Sequence, residues 1–455
     1  MIDSELIKKY NIPVPRYTSY PPANYFSESF TAEDYEEALT QSNKTQPEHI
    51  SFYIHIPFCR QLCHYCGCNS FGMTTEEKSN RYISALHKEI DKVVKYLNPD
   101  RRIAQIHYGG GTPTILPVNI LKELNDKLLS SFSCIEKPEI AIECHPGNME
   151  EKDWLMLSEV GFNRFSLGIQ DFNEKVLNAV NRLPSLLPVD TVFNILRDKK
   201  IDINLDFIYG LPYQTEESFA ETIRQAIELQ PDRLVTFSYA HVPWVNNRQT
   251  LLEKLGLPTN EEKSRMYVRA KEMLSEAGYQ AIGLDHFVKK TDELYIALQN
   301  GQLHRNFQGY CTRRTTGQVY AFGATAISQL STAYAQNSKN IEDYINLIEN
   351  GLATVKGYSL DEDEQITREV IETWMCNYNI DWLELSERLS FSVEKIKAAT
   401  AYNSQLFSTF ADDGIITLDE SRIQITEQGM FFVRNIAAAL DRLMIDSKKS
   451  FSKPI

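Results

Sequence analysis

Between residues 50 and about 285, short apolar segments alternate with amphipathic ones, and this repetition is the strongest constraint on the fold. The apolar segments predict strands at 50–56, 104–108, 139–143, 164–170, 203–209, 233–240 and 279–282. Helical periodicity predicts helices at 78–96, 117–130, 150–159, 172–180, 188–198, 215–229 and 260–278. Such alternation with short connections predicts a parallel sheet covered by helices. The fold class is therefore α/β, with about six βα units that close part-way toward a barrel and functional groups at the carboxyl ends of the strands.

The first predicted strand leads into a loop that holds four of the eight cysteines. Cys59, Cys63 and Cys66 are spaced C-x3-C-x2-C, and Cys68 follows. Three thiolates in so short a loop can ligate three irons of a [4Fe–4S] cube, which leaves the fourth iron open for chemistry. Zinc sites usually combine one close cysteine pair with a distant second pair, and eight cysteines in 455 residues are sparse for a disulfide framework. The iron–sulfur cluster is the favoured interpretation.

Glycines and polar residues recur where later strands end. Gly109, Gly110 and Gly111 follow the second strand, where missing Cβ atoms let the backbone approach a ligand; a tight turn is the alternative. Glu143 ends the third strand and is either a ligand contact or a solvated acid.

Three polar residues mark the later units, namely Gln170, Arg182 and Asp206. An arginine is a permanently charged, bidentate partner for a carboxylate. Asp206 lies inside an apolar run, where a buried acid requires a partner or a ligand.

Composition excludes some classes of function. The net charge is −14, which argues against nonspecific nucleic-acid binding. No run of 18 apolar residues predicts a membrane span. The first residues lack the apolar core of a signal peptide, so we expect a cytoplasmic protein.

The sequence predicts three domains. Residues 1–48 form an irregular N-terminal arm with a helix at about 32–41, and 49–335 form the barrel domain, whose part 286–335 is loop-rich. Residues 336–455 are mostly helical and winged-helix-like, with helices at 340–350, 362–375, 380–388, 393–410 and 427–445 and a hairpin at 414–418 and 422–426. A lid or packing role is favoured for this part over DNA binding, because the chain is acidic and has no basic recognition helix.

The cysteine loop resembles the signature of radical S-adenosylmethionine (SAM) enzymes. Further motifs are R-Y-T-S-Y-P at 16–21, H-Y-G-G-G-T-P at 107–113, G-F-N-R-F-S-L-G-I-Q-D-F-N at 161–173, N-R at 181–182, D-F-I-Y-G-L-P at 206–212 and H-R-N-F-Q-G-Y at 304–310. With these, the chain is identified as a member of the oxygen-independent coproporphyrinogen III oxidase family. The resemblance covers essentially the whole chain and narrows the fold to a partial (β/α)6 radical-SAM barrel.

The resemblance implies an activity and its cofactors. Two propionates of coproporphyrinogen III would become vinyls, with loss of two CO2, to give protoporphyrinogen IX in haem biosynthesis. The implied cofactors are a [4Fe–4S] cluster on Cys59, Cys63 and Cys66 and two molecules of SAM. One electron from the cluster would cleave SAM to a 5′-deoxyadenosyl radical, which abstracts hydrogen from the propionate β-carbon. Cys68 would have a catalytic or positioning role.

The resemblance also implies the SAM contacts and the partners. Tyr53, Gly109, Glu143 and Ile327 would contact the cluster-bound SAM. Tyr65, Gly110, Gly111, Gln170, Arg182, Asp206 and Ala240 would surround the second SAM. The implied partners are a tetrapyrrole substrate and an electron donor such as a flavodoxin or ferredoxin, with neither nucleic acid nor membrane, for a monomeric enzyme.

Three positions depart from the family pattern and leave the substrate open. His145 stands where an acid precedes the proline, Pro184 stands in place of a glutamine, and Cys311 begins an altered loop. The alternatives are a radical SAM enzyme that opens or methylates haem and a haem-binding or delivery protein. Candidates for substrate contact are Arg16, Arg305, Arg313, Arg314, Tyr20 and Phe307, with ordinary loop packing as the alternative for the two aromatic residues. Cys134, Cys144, Cys311 and Cys376 are most simply buried small hydrophobes.

Overall fold

The computed structural model describes residues 4–72, 75–244, 246–312 and 318–452. The chain separates into two compact units, and each unit combines distant parts of the sequence. The barrel unit comprises Glu28–Ile296 and Arg314–Gly357. The helical unit comprises Met1–Ser27, Ala297–Arg313 and Tyr358–Ile455. These two units are defined by contacts within the fold, and their bounds differ from the domain boundaries predicted at 48/49 and 335/336. The three predicted domains therefore remain a prediction.

A twelve-stranded sheet organises the barrel unit. Its parallel strands are β1 (Ile50–Ile56), β2 (Ile103–Gly110), β3 (Cys134–Cys144), β4 (Arg164–Gln170), β5 (Asp202–Tyr209), β6 (Arg233–Ser238) and β7 (Val319–Phe322). Their order in the sheet is β7-β1-β2-β3-β4-β5-β6. Ile327–Gln329, Ala333–Asn337 and Thr354–Ser359 extend the sheet beyond β7, and His286–Val288 and Gln280–Ile282 extend it beyond β6. Among the described residues, the two end strands do not pair with each other, so the sheet is open.

Helices follow the parallel strands in chain order. They are α1 (Glu76–Val93), α2 (Val118–Ser131), α3 (Glu151–Leu157), α4 (Glu174–Ala179), α5 (Val189–Asp198), α6 (Glu216–Leu229) and α7 (Asn260–Glu276). Other helices of this part are Ala32–Ser42, Thr250–Glu253, Glu293–Gln299 and Ile341–Asn350, with 3-10 turns at Val94–Tyr96, Pro113–Ile115, Pro146–Asn148 and Asn247–Gln249. Threonine caps begin several of them; Thr259, for example, accepts a hydrogen bond from the backbone of Glu262 at the start of α7.

The predicted partial (β/α)6 barrel is confirmed, because six βα units run from β1 to α7. Strand β1 is buried along almost its whole length, as expected for a parallel strand that is covered on both faces. The predicted loop-rich segment 286–335 is wrong. It contains β7, which pairs in parallel with β1, and several short strands that are too brief and too polar to show a clear period.

The helical unit contains the helices Ser4–Tyr10, Glu362–Asn377, Trp382–Leu389, Val393–Ala399, Ser404–Asp412 and Val433–Leu440. Its 3-10 turns are Ala23–Tyr25, Gln428–Phe432 and Arg442–Met444, and its strands are Leu303–Asn306, Gly309–Thr312, Asn379–Asp381, Ile416–Leu418 and Arg422–Ile425. The single helix predicted at 393–410 is wrong. The helix is interrupted at 400–403, and the side chain of Asn403 caps a second helix that begins at Ser404. The final helix predicted at 427–445 is three shorter helical pieces.

No helix in the described part of the chain combines the length and the apolar character needed to cross a membrane.

Ion pairs around the buried Glu139, Arg164 and Arg233 connect four strands near the amino ends of the sheet. Arg164 Nε donates to Glu139 Oε2 at 2.8 Å, and Arg164 Nη2 lies 2.9 Å from Asp202 Oδ2. Arg233 Nη1 lies 3.6 Å from Glu139 Oε2, and Arg233 Nε donates to Asp292 at 2.8 Å. Although burial opposes ionisation, the charges of Arg164 and Arg233 lower the pKa of Glu139 to about 2. This carboxylate therefore remains charged and shared between two guanidinium groups.

Removing that shared carboxylate should destabilise the barrel unit strongly. In Glu139→Ala, two buried guanidinium groups lose their common partner, and the free energy of unfolding should fall by about 3–5 kcal/mol. Urea unfolding followed by circular dichroism measures the change. Glu221→Ala is the matched control, because Glu221 pairs with Arg224 in solvent and its loss should leave stability unchanged. Equal stability of the two variants would contradict the assignment.

A second buried carboxylate, Glu89 of α1, holds the turn after β7. Glu89 Oε2 accepts hydrogen bonds from Gly323 N at 2.8 Å and from the hydroxyl of Tyr344 at 2.7 Å. Glu89 Oε1 accepts from Asn337 Nδ2 at 2.6 Å, and the same amide donates to Gly323 O at 2.9 Å. Burial raises the pKa of Glu89 to about 7, although these hydrogen bonds oppose the shift. The turn is thus fixed by an acid that titrates near neutral pH.

The raised pKa of Glu89 should make stability fall as pH rises. Between the ordinary value of 4.5 and about 7, the folded chain keeps a proton that the unfolded chain has lost. The contribution of Glu89 is therefore fully present below 4.5 and is lost as pH rises through the folded pKa, by about 2 kcal/mol between pH 5 and 7. Urea unfolding of the wild type and of Glu89→Gln at both pH values isolates this contribution. An identical pH dependence of the two proteins would contradict it.

Candidate active site

The cysteine loop begins at the carboxyl end of β1 and is closed at its base. The short strand Phe58–Cys59 pairs with Phe71–Gly72, and Phe71 N donates to Pro57 O at 2.7 Å. Cys59 and Cys63 are buried, Cys66 is half-buried and Cys68 is exposed, and all four are free thiols. A hydrogen bond with Cys68 lowers the pKa of Cys66 to about 6. The loop therefore presents three enclosed sulfur atoms and one exposed thiol.

Polar groups from two other βα connections reach the sulfur atoms. Thr112 Oγ1 lies 3.5 Å from Cys59 Sγ, and Arg182 Nη1 lies 3.6 Å from Cys63 Sγ. Arg182 Nη1 also donates to the hydroxyl of Tyr65 at 3.1 Å, and its Nη2 donates to Gly168 O. The buried guanidinium therefore connects the cysteine loop to the end of β4.

Three glycines at the end of β2, Gly109, Gly110 and Gly111, bring the backbone close to the cysteine loop and to neighbouring side chains. A Cβ atom at Gly111 would lie 2.9 Å from Cys59 Sγ, and one at Gly109 would lie 2.5 Å from Glu143 Oε1. Gly110 has φ +117°, and a Cβ there would lie 2.8 Å from the ring of His55. Any side chain at these positions would displace the cysteine loop, the carboxylate or the imidazole.

Four side chains form a polar cluster beside the glycines, at the ends of β1, β2 and β3. His107 Nε2 donates to Glu143 Oε1 at 3.0 Å, and the rings of His107 and Tyr53 stack with centroids 6.0 Å apart. The hydroxyl of Tyr53 donates to His55 Nδ1 at 3.0 Å, and His55 Nε2 donates to Asn69 O at 3.1 Å. Burial lowers the pKa of His55. The neutral ring thereby connects β1 to the end of the cysteine loop.

The turn held by Glu89 also reaches this cluster. Thr325 Oγ1 lies 3.3 Å from His55 Nε2, and the hydroxyl of Tyr82 bridges Ala324 N at 3.0 Å and His55 O at 2.7 Å. Ile327 follows in the strand Ile327–Gln329 and is half-buried. This strand pairs with β7, whose other neighbour in the sheet is β1.

The ends of β4 and β5 contribute Gln170 and Asp206. Ser166 Oγ donates to Asp206 Oδ2 at 2.8 Å. Burial and, to a smaller extent, the charge of Glu143 raise the pKa of Asp206 to about 6. Gln170 adopts φ 70°, and among the described residues no group donates a hydrogen bond to its buried Oε1. An unsatisfied buried acceptor near a half-buried acid on the neighbouring strand is the pattern expected where a ligand binds.

Two residues that the sequence analysis missed, Gln249 and Asn246, donate hydrogen bonds to the backbone of the cysteine loop. Gln249 Nε2 donates to Tyr65 O at 2.9 Å and to Ala240 O at 3.3 Å, and Asn246 Nδ2 donates to Cys66 O at 2.6 Å. Both residues lie in an irregular connection after β6, where no periodicity marks them. His55, in contrast, shares a face of β1 with Tyr53, so the alternation of a strand could have identified it.

The cysteines fit an iron–sulfur cube better than a single metal ion. In the described part of the chain, no three His, Cys, Asp or Glu side chains are grouped so as to hold one ion. A cube presents three separate iron atoms to three thiolates, so its ligands lie farther apart than those of zinc. The free thiols of Cys59, Cys63 and Cys66 and the space left by Gly111 suit this larger group.

Two of the departures from the family pattern, His145 and Pro184, lie on the same glycine, Gly147. A Cβ atom at Gly147 would meet Pro184 O at 2.6 Å and the ring of His145 at 3.0 Å, so both flank this glycine. His145 Nδ1 accepts from Gly147 N at 3.1 Å. Burial and the charge of Arg182 lower the pKa of His145 to about 3. His145 is therefore a neutral ring that packs behind the site.

The candidates for substrate contact belong to the helical unit or lie outside the described residues. Within the helical unit, Arg16 is exposed, Arg305 is buried and donates to the hydroxyl of Tyr310 at 3.3 Å, Phe307 is half-buried, and Tyr20 is 1% exposed. Arg313 and Arg314 lie outside the described residues. Cys144, Cys311 and Cys376 are buried as predicted, whereas Cys134 is only half-buried.

Comparison with known proteins identifies the family. The Radical SAM superfamily matches residues 53–226. Oxygen-independent coproporphyrinogen III oxidases are 36% identical in Synechocystis sp., with 99% of this chain and 98% of the relative covered, and 38% identical in Pseudomonas aeruginosa, with 100% and 98% covered. The solved structure of coproporphyrinogen III oxidase from Escherichia coli, a radical SAM enzyme, is 36% identical and matches 97% of this chain and 99% of its own with a TM-score of 0.87.

These matches extend over both units and confirm the family that the motifs indicated. Radical SAM enzymes carry a [4Fe–4S] cluster and use SAM, and the cysteine loop described above suits both. The chain belongs to the oxygen-independent coproporphyrinogen III oxidase family of radical SAM enzymes.

Proposed function

We propose that this chain converts two propionates of coproporphyrinogen III to vinyls, with release of two CO2, and so forms protoporphyrinogen IX in haem biosynthesis. Support comes from relatives of that name, which match nearly the whole chain at 36–38% identity. The observation that carries the chemical part is the close approach of Gly111 to Cys59, which brings a ligand-binding turn onto the cysteine loop.

Cys59, Cys63 and Cys66 are the proposed ligands of the [4Fe–4S] cluster. When bound, the cluster and SAM supply the radical that abstracts hydrogen from the substrate. Polar side chains of the protein lie beside the proposed ligand cysteines. Arg182 lies beside Cys63, and Thr112 lies beside Cys59, so both sulfur atoms face hydrogen-bond donors.

Tyr53, Gly109, Glu143 and Ile327 are the proposed contacts of the cluster-bound SAM. The side chain of Glu143 is 42% exposed, and His107 donates a hydrogen bond to it. The carboxylate is therefore held in one orientation and remains accessible to a ligand. Such a carboxylate suits an ammonium or ribose hydroxyl group. Gly109 leaves room for this approach, because any Cβ there would strike Glu143.

A second SAM is proposed to bind among Tyr65, Gly110, Gly111, Gln170, Arg182, Asp206 and Ala240. Arg182 suits the carboxylate of an amino acid ligand. Gln170 Oε1 is a buried acceptor without a donor in the described part of the chain, and the half-buried Asp206 on the neighbouring strand is a second acceptor. Both suit the hydroxyl and amino groups of a nucleoside ligand.

Cys68 is proposed to act on the substrate rather than on iron. Its thiol is exposed, two residues beyond the last proposed ligand, and it hydrogen-bonds Cys66. That hydrogen bond raises the pKa of Cys68 well above its ordinary value. An exposed cysteine beside the proposed cluster ligands is placed to transfer hydrogen or a proton to a bound substrate.

The partners follow from the proposed reaction. The substrate is a tetrapyrrole, and the electron comes from a carrier such as a flavodoxin or ferredoxin. We propose that the enzyme acts as a monomer in the cytoplasm. We also propose that the chain has three domains, namely an N-terminal arm at 1–48, a barrel domain at 49–335 and a helical domain at 336–455. Ring opening or methylation of haem and haem delivery are not favoured, because the relatives that match the whole chain are coproporphyrinogen III oxidases.

Replacing the proposed ligands one at a time should separate them from Cys68. Cys59→Ala, Cys63→Ala and Cys66→Ala should each lose the brown [4Fe–4S] absorption, because two thiolates do not hold the cube. Cys68→Ala should keep the cluster and lose product formation. Iron analysis and visible spectra after anaerobic reconstitution measure this. Retention of an intact cluster in any of the first three variants, or its loss in the fourth, would reverse the assignment.

The substrate is tested by anaerobic turnover. The reconstituted enzyme is given SAM, a reductant, an electron acceptor and either coproporphyrinogen III or haem. We expect coproporphyrinogen III to lose two CO2, read as product masses after chromatography, and haem to remain unchanged. Consumption of haem, with deoxyadenosine formed but no decarboxylation, would move the protein to haem breakdown.

A further inference from the structure

The connection after β6 carries an arginine that the proposed chemistry does not use. Arg248 lies in the 3-10 turn Asn247–Gln249, and its side chain is half-buried. Its Nη1 atom is enclosed by protein, and no described residue accepts a hydrogen bond from it. An enclosed donor of a permanently charged group is costly to leave without an acceptor. We therefore expect a ligand to supply the acceptor at this atom.

Hydrogen bonds hold Arg248 beside the cysteine loop. Asn246 Oδ1 accepts from Arg248 N at 3.1 Å and from Arg248 Nε at 3.2 Å. The amide nitrogen of the same asparagine donates to Cys66 O at 2.6 Å. The pKa of Cys66 is lowered mainly by its hydrogen bond with Cys68 and to a smaller extent by the charge of Arg248. The guanidinium therefore lies within electrostatic range of a proposed cluster ligand, and its Nε is fixed while Nη1 keeps its donors.

The neighbouring residue fixes Arg248 relative to the proposed site of the second SAM. Gln249 Nε2 donates to Tyr65 O at 2.9 Å and to Ala240 O at 3.3 Å. Both acceptors belong to residues proposed to surround that SAM. Gln249 is 1% exposed, so these hydrogen bonds are shielded from water. Arg248 is therefore held next to the carboxyl end of β6, where ligands are proposed to bind.

Other buried guanidinium groups of the barrel unit already have strong partners. Arg233 forms ion pairs with buried carboxylates, and Arg182 donates to Gly168 O. The side chain of Arg248, in contrast, donates only to the neutral amide oxygen of Asn246 among the residues that the structure describes. Its positive charge is therefore available to an anionic ligand, although the chain as a whole has a net charge of −14.

We propose that Arg248 binds a propionate carboxylate of the tetrapyrrole substrate, an inference that rests on the proposed function. A guanidinium is a planar, permanently charged partner for a carboxylate and accepts it in a bidentate geometry. SAM also carries a carboxylate, but Arg182 is already matched to that group in the proposed second site. The propionates, in contrast, are matched to no described residue of the barrel unit, and Arg248 supplies the donor that they require.

Removing the guanidinium should weaken binding of the free acid but not of an ester. Anaerobic equilibrium dialysis of the reconstituted protein, with SAM but without reductant so that no turnover occurs, measures Kd for coproporphyrinogen III and for its tetramethyl ester. In Arg248→Gln we expect the Kd of the acid to rise about tenfold, as for a lost charge-assisted hydrogen bond. The Kd of the ester should equal that of the wild type, because the ester offers no carboxylate.

Two further variants separate this contact from a general loss of charge. Arg269→Gln is the matched control, because Arg269 is exposed on α7, pairs with Glu272 and carries the same charge. All its Kd values should equal those of the wild type. Arg248→Lys keeps the charge but not the planar fork, so the Kd of the acid should rise less than in Arg248→Gln. Iron content and the [4Fe–4S] absorption should be unchanged in all three variants.

Several outcomes would overturn the assignment. A wild-type Kd for the acid in Arg248→Gln would show that no propionate binds there. An equal rise for acid and ester, or loss of iron in both Arg248 variants, would mean that Arg248 only supports the connection after β6. A raised Kd for radiolabelled SAM, with an unchanged Kd for the acid, would show that the carboxylate is that of SAM.

The binding measurement and turnover fail separately. A protein that binds coproporphyrinogen III through Arg248 but releases no CO2 when reductant is added would contradict the proposed reaction alone. An enzyme that releases CO2, while its Arg248→Gln variant binds the acid normally, would contradict the role of Arg248 alone. A wild type that binds no coproporphyrinogen III would contradict both.

Discussion

The contact between a glycine backbone and a cysteine loop is the constraint on which this site depends. Gly111 brings the turn after β2 so close to Cys59 that a methyl group would not fit, and Gly109 allows the same approach to Glu143. Because β1 and β2 are neighbours in register, His55 pairs with Gly109 and Ile56 with Gly110, which places the cysteine loop and the glycine turn side by side. Parallel pairing thus supplies the alignment, and the missing Cβ atoms supply the space.

The two ends of the strands perform different tasks. Near the amino ends, Glu139 satisfies Arg164 and Arg233 in buried ion pairs, so every charge there has a partner within the protein. At the carboxyl ends, Asp206 is held by one serine, Gln170 retains an unsatisfied acceptor in the described part of the chain, and Glu143 remains partly open. Stability and ligand binding are therefore separated along the strands, as in other βα barrels.

Support for the site comes from residues that no ligand would touch. Glu89 fixes the turn after β7, and that turn carries Thr325 to His55. Asn181 and Gln61 secure the cysteine loop from its outer side. His145 and Pro184, which depart from the family pattern, flank Gly147 and pack near Arg182. These two departures therefore lie behind the strand ends, whereas the third, Cys311, lies in the strand Gly309–Thr312 of the helical unit.

The sequence alone determined the βα alternation, the cysteine spacing and the positions of Gly109, Glu143 and Asp206 at strand ends, because local periodicity and short motifs carry that information. It did not reveal β7, whose four residues acquire their direction only by pairing with β1. The break at 400–403 also escaped it, because apolar spacing continues across the cap. Gln249 and Asn246 were found only in the tertiary structure, since they meet Tyr65 and Cys66 across 184 and 180 positions. Contacts at such separation depend on how the chain packs, and no local pattern encodes them.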